Sequence, residues 1–313
     1  MFEAKLIALY FYICERYEKE FKYECERFSN NDEPDFTDQE ALTIYLYVAS
    51  EEKHLLIKEI HRFAQRYLLS WFPKLPSYQA FNTRLGRLSV VMQRLCAALL
   101  QQHCPLDGRE ESSLVDSLPI ITSLGNREGQ VARELTSKGY CSTKNLYYHG
   151  LKLHALAWHR KGKLPWVESL VLSSAEDNDL NIFKENWSEV ENRTFYGDKI
   201  YYHPQWFEDF YKHYHSEMLT PVKAVKGMAE RFKQWNKAGD DLYSKAVSSI
   251  RQPIESLFSW LMEKTDLQRA SKVRSTKGLL LHVFGRIAAA FIYCIFNPSF
   301  ALLCVSIKYC KQQ

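Results

Sequence analysis

The chain has 313 residues, 46% hydrophobic and 25% charged, with a formal net charge of +4. These values suit a folded globular protein and exclude a disordered or fibrous one, and the length removes the need for disulfide staples. They allow two domains, and the patterning divides the chain into an all-helical part, 1–105, and a strand-containing part, 106–313.

The N-terminus, "MFEAKLIALYFYICERYEKE", lacks the basic start and small-residue cleavage site of a signal peptide, and reads as an amphipathic helix. "DFTDQEAL" carries a capping box, with Thr37 as N-cap and Glu40 three residues on. A Pro76-Ser77 cap then opens a helix whose apolar stripe is Tyr78, Phe81, Leu85, Leu88, Val91 and Leu95. Asn82, Arg84, Arg87 and Arg94 lie on or beside that stripe. This is either a DNA-recognition helix or an ordinary bundle helix. Residues 103–113 read as a linker.

Strand character follows. "LVDSLPII" is apolar and branched except for Asp116, an acid where strands rarely place one. "LKLHALAW" and "WVESLVLSS" flank the turn "HRKGKLP" and form a hairpin. "AEDNDLNIFKENWSEV" is a capped helix and "RTFYGDKIYY" a strand. "PQWFEDFYKHYH" is a helix, "EMLTPV" a fifth short strand, and everything from Asp240 is helical. The order implies an α/β (α+β) mixed sheet with helices on both faces. No Gly-x-Gly-x-x-Gly, P-loop, His-Glu-x-x-His or Gly-x-Ser-x-Gly motif is present.

Residues 279–307 are the most apolar. His282, Arg286 and Asn297-Pro298 interrupt them, so they predict a buried core helix rather than a membrane span, which needs about 20 uninterrupted apolar residues. The eight cysteines form no Cys-x-x-Cys pair and read as reduced thiols of a cytosolic protein. Basic residues cluster in two blocks. Lys53–Arg94 has eight Lys/Arg against one acid, and Lys223–Arg286 has thirteen against six. Such blocks are either solvated helix faces or the footprint of an extended polyanion such as DNA.

Three acids stand out by setting: Asp116, Asp198 after Gly197, and Glu255 near the expected start of a helix, with Pro253 in its first turn. Acids that converge at one sheet end repel unless divalent cations share them, and two such cations can promote phosphodiester chemistry. The plainer readings are a turn at Asp198 and an i,i+4 pair between Arg251 and Glu255.

"LVDSLPI", "YYHGLKLH", "FYGDKIYY" and "IRQPIESLFSWL" resemble, in order, the hallmark blocks of bacterial insertion-sequence transposases of the DDE class, and "LPSYQAFNTRL" resembles the N-terminal domain of one compact group of them. Two departures stand out: Ile200 sits where Gly is usual, and Met262 where Lys is usual. The resemblance implies an RNase H-like catalytic domain behind a helical DNA-binding domain. Asp116, Asp198 and Glu255 would be catalytic and would ligate two Mg²⁺ ions, with Mn²⁺ able to substitute. It implies cleavage of transposon ends and strand transfer into target DNA. The expected partners are double-stranded DNA (terminal inverted repeats and target) and a second copy of the chain, in a nucleoid-associated cytoplasmic protein without membrane or organic cofactor. Lys152, His154, Lys199, Arg251, Arg269, Lys272, Arg274, Lys277, Arg84 and Arg87 are the expected DNA contacts. Trp260 is either core or a base-stacking residue. A repurposed DNA-binding protein and a nuclease without strand transfer are the alternatives.

Overall fold

The computed structural model describes residues 2–25, 34–105, 107–126, 129, 131–141, 144–223 and 230–297. Helices α1 (Phe2–Arg16), α2 (Asp38–Glu51), α3 (Ile57–Tyr67), α4 (Tyr78–Arg87) and α5 (Ser89–Gln102) come first. Strands β1 (Arg109–Leu124), β2 (Ser137–Cys141), β3 (Leu146–His159) and β4 (Trp166–Ser174) follow. Then come α6 (Asp179–Trp187), β5 (Thr194–Tyr196), α7 (Pro204–Tyr214), β6 (Glu217–Leu219), α8 (Glu230–Thr265), α9 (Thr276–Leu280) and α10 (Arg286–Phe296), with a π-helical turn, Leu281–Gly285, linking the last two.

Two compact units result. One comprises Cys104–Gly129 and Arg133–Trp260. The other joins the N-terminal helices to the segment from Leu261 onward. The first break falls between His103 and Cys104. The C-terminal helices differ from expectation, because they pack with the N-terminal unit rather than the sheet unit. The reason is hydrophobic: α10 is apolar nearly all round, and its Ile287, Ala288, Phe291 and Ile292 are buried where it packs on α2 and α5. The helix Thr276–Phe296 is long and apolar enough to cross a membrane by length and composition, but 78% of its apolar window is buried inside the protein. Its two polar interruptions are used internally. His282 Nε2 lies 2.8 Å from the Leu267 carbonyl, and Arg286 donates to the Thr265 and Asp266 carbonyls at 2.6 and 2.8 Å, capping the end of α8.

In the helical unit the capping box at Thr37 and Glu40 forms as expected. The expected single helix from Tyr78 breaks at Leu88 into α4 and α5. No disulfide joins the six described cysteines to one another.

The sheet is ordered β2-β3-β1-β5-β6, with β4 also on β3. β1, β2, β3 and β4 pair antiparallel, whereas β5 and β6 continue the sheet parallel to β1. Val115, Leu156, Phe195 and Met218 on one face form a core with Leu180, Phe183 and Trp187 of α6, Phe210 of α7, and Tyr201. Strand β2 was not foreseen; "SKGYC" is short and Gly-containing, and its place depends on β3 beside it. β5 ends at Tyr196, so Asp198 lies beyond the strand. α8 begins at Glu230, earlier than Asp240, and puts Pro253 deep inside the helix rather than in its first turn. There Pro253, two residues before Glu255, withholds the amide that would bond the Ser249 carbonyl. Residues 266–275 form a loop, not helix.

Candidate active site

The strand register sets two of the three acids at corresponding positions. In the parallel β1–β5 pair Ser112, Ser113 and Leu114 face Thr194, Phe195 and Tyr196. The pairing ends there, two residues short of Asp116 on β1 and of Asp198 on the other chain segment. The chain leaves the sheet at Gly197. Asp198 caps a 3₁₀ turn, Lys199–Tyr201, with its carboxylate accepting from the Lys199 amide at 2.6 Å.

Arg251 of α8 links the third acid. Its guanidinium reaches Asp116 Oδ2 at 3.0 Å and also grips Glu255 one turn on. Asp116 and Glu255 therefore lie on either side of one guanidinium. The Arg251 side chain is 14% exposed and that of Asp116 21%, whereas Glu255 is 53% exposed and Asp198 also faces solvent. The Asp116 backbone is fixed in the middle of the sheet, opposite Ala155 of β3, and Oδ1 accepts from the Ser117 amide at 2.9 Å.

The electrostatics follow from this crowding. Burial pushes the Asp116 pKa up to about 6; Arg251 and the Ser117 amide oppose the rise, and the negative charges of Asp198 and Glu255 add to it. Burial disfavours the charge on Arg251, but Asp116, Glu255 and Asp198 outweigh it and hold its pKa above the ordinary guanidinium value. One guanidinium pairs with two carboxylates and feels the charge of a third. Among the described residues no three His, Cys, Asp or Glu side chains stand close enough to enclose an ion. The donor chemistry nonetheless suits a hard divalent cation, because oxygen-only carboxylates meet around a positive group that such a cation could replace.

A fourth acid was missed by sequence reasoning. Asp179, at the start of α6 and 6% exposed, accepts from Lys152 Nζ and Ser117 Oγ, both at 2.8 Å. "AEDNDL" reads as a helix cap, and nothing in it points to a lysine on β3. Lys152 also donates to the Asp177 carbonyl at 2.7 Å, so it is an internal brace rather than an open phosphate contact. The expectation for His154 is corrected outright. It is fully buried, Nε2 lies 2.8 Å from Ser173 Oγ, and burial lowers its pKa to about 4. No DNA phosphate can reach it there. Lys199, by contrast, is exposed beside Asp198.

In the helical unit, Arg84 and Arg87 both clasp Asp38. Arg87 does so with 2.8 Å contacts to both oxygens, and Arg84 lies 3.4 Å from Oδ1 while also donating to the Phe36 carbonyl. Arg84 is 15% exposed and Arg87 39%. Arg269, Lys272, Arg274 and Lys277 are all exposed. Lys272 and Arg274 line a cavity of about 440 Å³ together with Lys58 and Asn82; Lys277 and Arg87 line one of about 400 Å³. Trp260 is half-buried.

Residues 121–292, more than half of the chain, match the transposase DDE domain family. The chain belongs to that family, and the enzyme class it defines is DNA transposase. The match takes in Asp198 and Glu255 and begins just after Asp116. The mixed sheet is accordingly RNase H-like. Among solved structures, "Crystal structure of a pre-cleavage Mos1 transpososome" is similar at 14% identity over 91% of this chain and 88% of that one, with a TM-score of 0.19. No curated protein matches the sequence.

Proposed function

We propose that this transposase cleaves the ends of a mobile DNA element and joins the freed 3′-OH to target DNA, using Asp116, Asp198 and Glu255 as the ligands of two Mg²⁺ ions, with Mn²⁺ able to substitute. The observation that carries this reading is the single guanidinium of Arg251 paired with both Asp116 and Glu255. When bound, such cations activate the attacking oxygen and stabilise the leaving one. In the first step a water oxygen bonds to phosphorus and the 3′-oxygen of the element's end departs. In the second, that 3′-hydroxyl attacks a target phosphodiester in line and displaces another 3′-oxygen.

The residues of the chain divide the remaining work. β1 fixes Asp116, and the Ser117 amide orients it. Lys152, Asp179 and Ser117 brace the neighbouring face through buried polar bonds. Arg251 balances the acids and, once released, stands beside the substrate phosphate as a bidentate donor. Lys199 and the loop cations Arg269, Lys272, Arg274 and Lys277 bind DNA backbone, which gives affinity without sequence information. A second copy of the chain pairs the two ends.

Glu255→Gln tests the assignment. Losing ~4 kcal/mol of transition-state stabilisation lowers Mg²⁺-dependent end cleavage by roughly 10³-fold, while a gel shift with end DNA stays intact. Normal cleavage by this variant overturns the proposal. The second reading is a DNA-binding protein without catalysis, favoured by Arg251 standing where a cation would neutralise Asp116 and Glu255. DNA binding with no nicking in Mg²⁺ or Mn²⁺ would establish it.

A further inference from the structure

The cavity of about 440 Å³ in the helical unit is lined from α3, from α4 and from the residues around the start of α9. Lys58, Lys272 and Arg274 line it, and no acid does. Lys58 and Lys272 form no ion pair among the described residues. Arg274 is held by the Ser271 and Val273 carbonyls at 2.9 and 2.7 Å. Three cations without a counter-ion call for an anion. A phosphate alone would leave most of the space empty, and the volume falls within the roughly 300–1,000 Å³ of sites for organic ligands. Leu56, Val273 and Leu281 add apolar surface, which suits a ligand with an apolar or aromatic body as well as negative charge.

Two tyrosines define that body. Tyr78 lines the cavity and is 36% exposed, its ring held edge-on by His61 at 6.0 Å. It is a fixed face on which a planar ring can stack. Tyr45 of α2 also lines the cavity and is 3% exposed. Its hydroxyl has no hydrogen-bond partner among the described residues, and a Cβ on Gly285 would come 2.7 Å from it. The other buried polar side chains here, His282 and Arg286, are already bonded to carbonyls. The Tyr45 hydroxyl is the buried polar group left for a ligand. The second cavity, of about 400 Å³, shares Asn82, Ser275 and Gly278 with the first and adds Lys277 and Arg87, again without an acid. Positive charge therefore continues from one cavity into the next, as a strand with successive phosphates requires and a single small anion does not.

We propose that the first cavity receives one unpaired nucleotide of a DNA strand. Its base stacks on Tyr78 and hydrogen-bonds with the Tyr45 hydroxyl. Its phosphate meets Lys58, Lys272 and Arg274, and the next phosphate meets Lys277. This rests on the DNA substrate proposed above and on nothing about metal binding. The loop cations alone would take any backbone, whereas the cavity selects DNA with a displaced base.

The test uses full-length protein in EDTA and two duplexes of one sequence, one fully paired and one carrying a single extrahelical 2-aminopurine. Wild type binds the second about 10-fold more tightly, the scale of stacking one base on an aromatic side chain, and the 2-aminopurine fluorescence falls on binding. Tyr78→Ala removes the preference. Tyr45→Phe reduces it about 5-fold, the scale of one hydrogen bond, with a Tm unchanged or raised, which a packing role would not give. Equal affinity of wild type for the two duplexes overturns the proposal, as does a preference that survives Tyr78→Ala. A preference unchanged by Tyr45→Phe overturns the part given to that hydroxyl. Competition by dAMP identifies the source of the nucleotide. It is expected to bind far more weakly than the extrahelical duplex, because it lacks the second phosphate, and equally tight binding replaces the strand with a free nucleotide. If neither duplex binds, the DNA reading fails and this proposal with it, an outcome distinct from equal binding of both.

Discussion

Asp38 in the helical unit and Asp116 in the sheet unit are both enclosed carboxylates held by arginine, and they differ in charge balance. Asp38 is 4% exposed and has two guanidinium groups to itself. Asp116 must share one guanidinium with Glu255 in the field of Asp198. The first arrangement is electrically complete, and it ties α2 to α4. The second is short of positive charge, and that shortage suits an incoming cation. The same pair of residue types is charge-balanced in one setting and short of positive charge in the other, and only the neighbours decide which.

Exchanging the lesions breaks or confirms this contrast. Asp116→Asn abolishes Mg²⁺-dependent cleavage, by roughly 10³-fold or more for several kcal/mol of lost metal stabilisation. Its cation-free Tm holds or rises, because burial makes the charged form costly in the folded state. Asp38→Asn does the reverse. Breaking a buried pair costs ~3 kcal/mol of stability, while cleavage per folded molecule is unchanged. Urea melts and single-turnover cleavage on the two variants decide it, and equal destabilisation by both would erase the distinction.

Arg251→Ala sharpens it further. Removal of the shared counter-charge destabilises the cation-free protein, and Mg²⁺ raises the Tm of this variant more than that of wild type. Arg87→Ala, on the Asp38 side, shows no such rescue.

Titration gives a smaller effect of known sign. The folded pKa of Asp116 is raised to about 6, so in EDTA its contribution is favourable at low pH and is lost as pH rises through about 6. With Mn²⁺ present the cation competes with that proton, and the cation-induced rise in Tm shrinks as pH falls below about 6. His282 behaves oppositely. Burial, with Arg286 nearby, lowers its pKa to about 3, so its contribution is present above pH 6.5 and is lost as pH falls toward 3. The slope is at most about 1.4 kcal/mol per pH unit, and His282→Gln flattens it. The smallest expected change comes from Lys272→Ala, which weakens DNA binding evenly across sequences and lowers the salt slope by about one.

Much of the sheet unit was legible in the sequence. The alternating hairpin of β3 and β4 and the apolar run around Asp116 carry their own periodicity. The i,i+4 pair of Arg251 and Glu255 was legible too, since one helical turn sets it. The Arg251–Asp116 contact was not, because 135 residues separate the partners and only tertiary packing joins them. The Lys152–Asp179 brace was hidden for the same reason. His154 misled because alternation places a side chain on a face without saying whether a helix covers that face. The C-terminal helix was read correctly as buried, but a uniformly apolar helix does not name its partner.

The parallel register between β1 and β5 has a consequence for how this chain tolerates change. Asp116 and Asp198 each lie two residues past the Leu114–Tyr196 pair, so their relative placement depends on that pair and not on a fixed number of residues between them. Extra residues in the surface turn at Gly162, far from that pairing, leave both acids in place. One residue inserted between Tyr196 and Asp198 carries the second acid out of line with the first. The length of the chain between the acids is therefore free to drift, and the two residues after β5 are not.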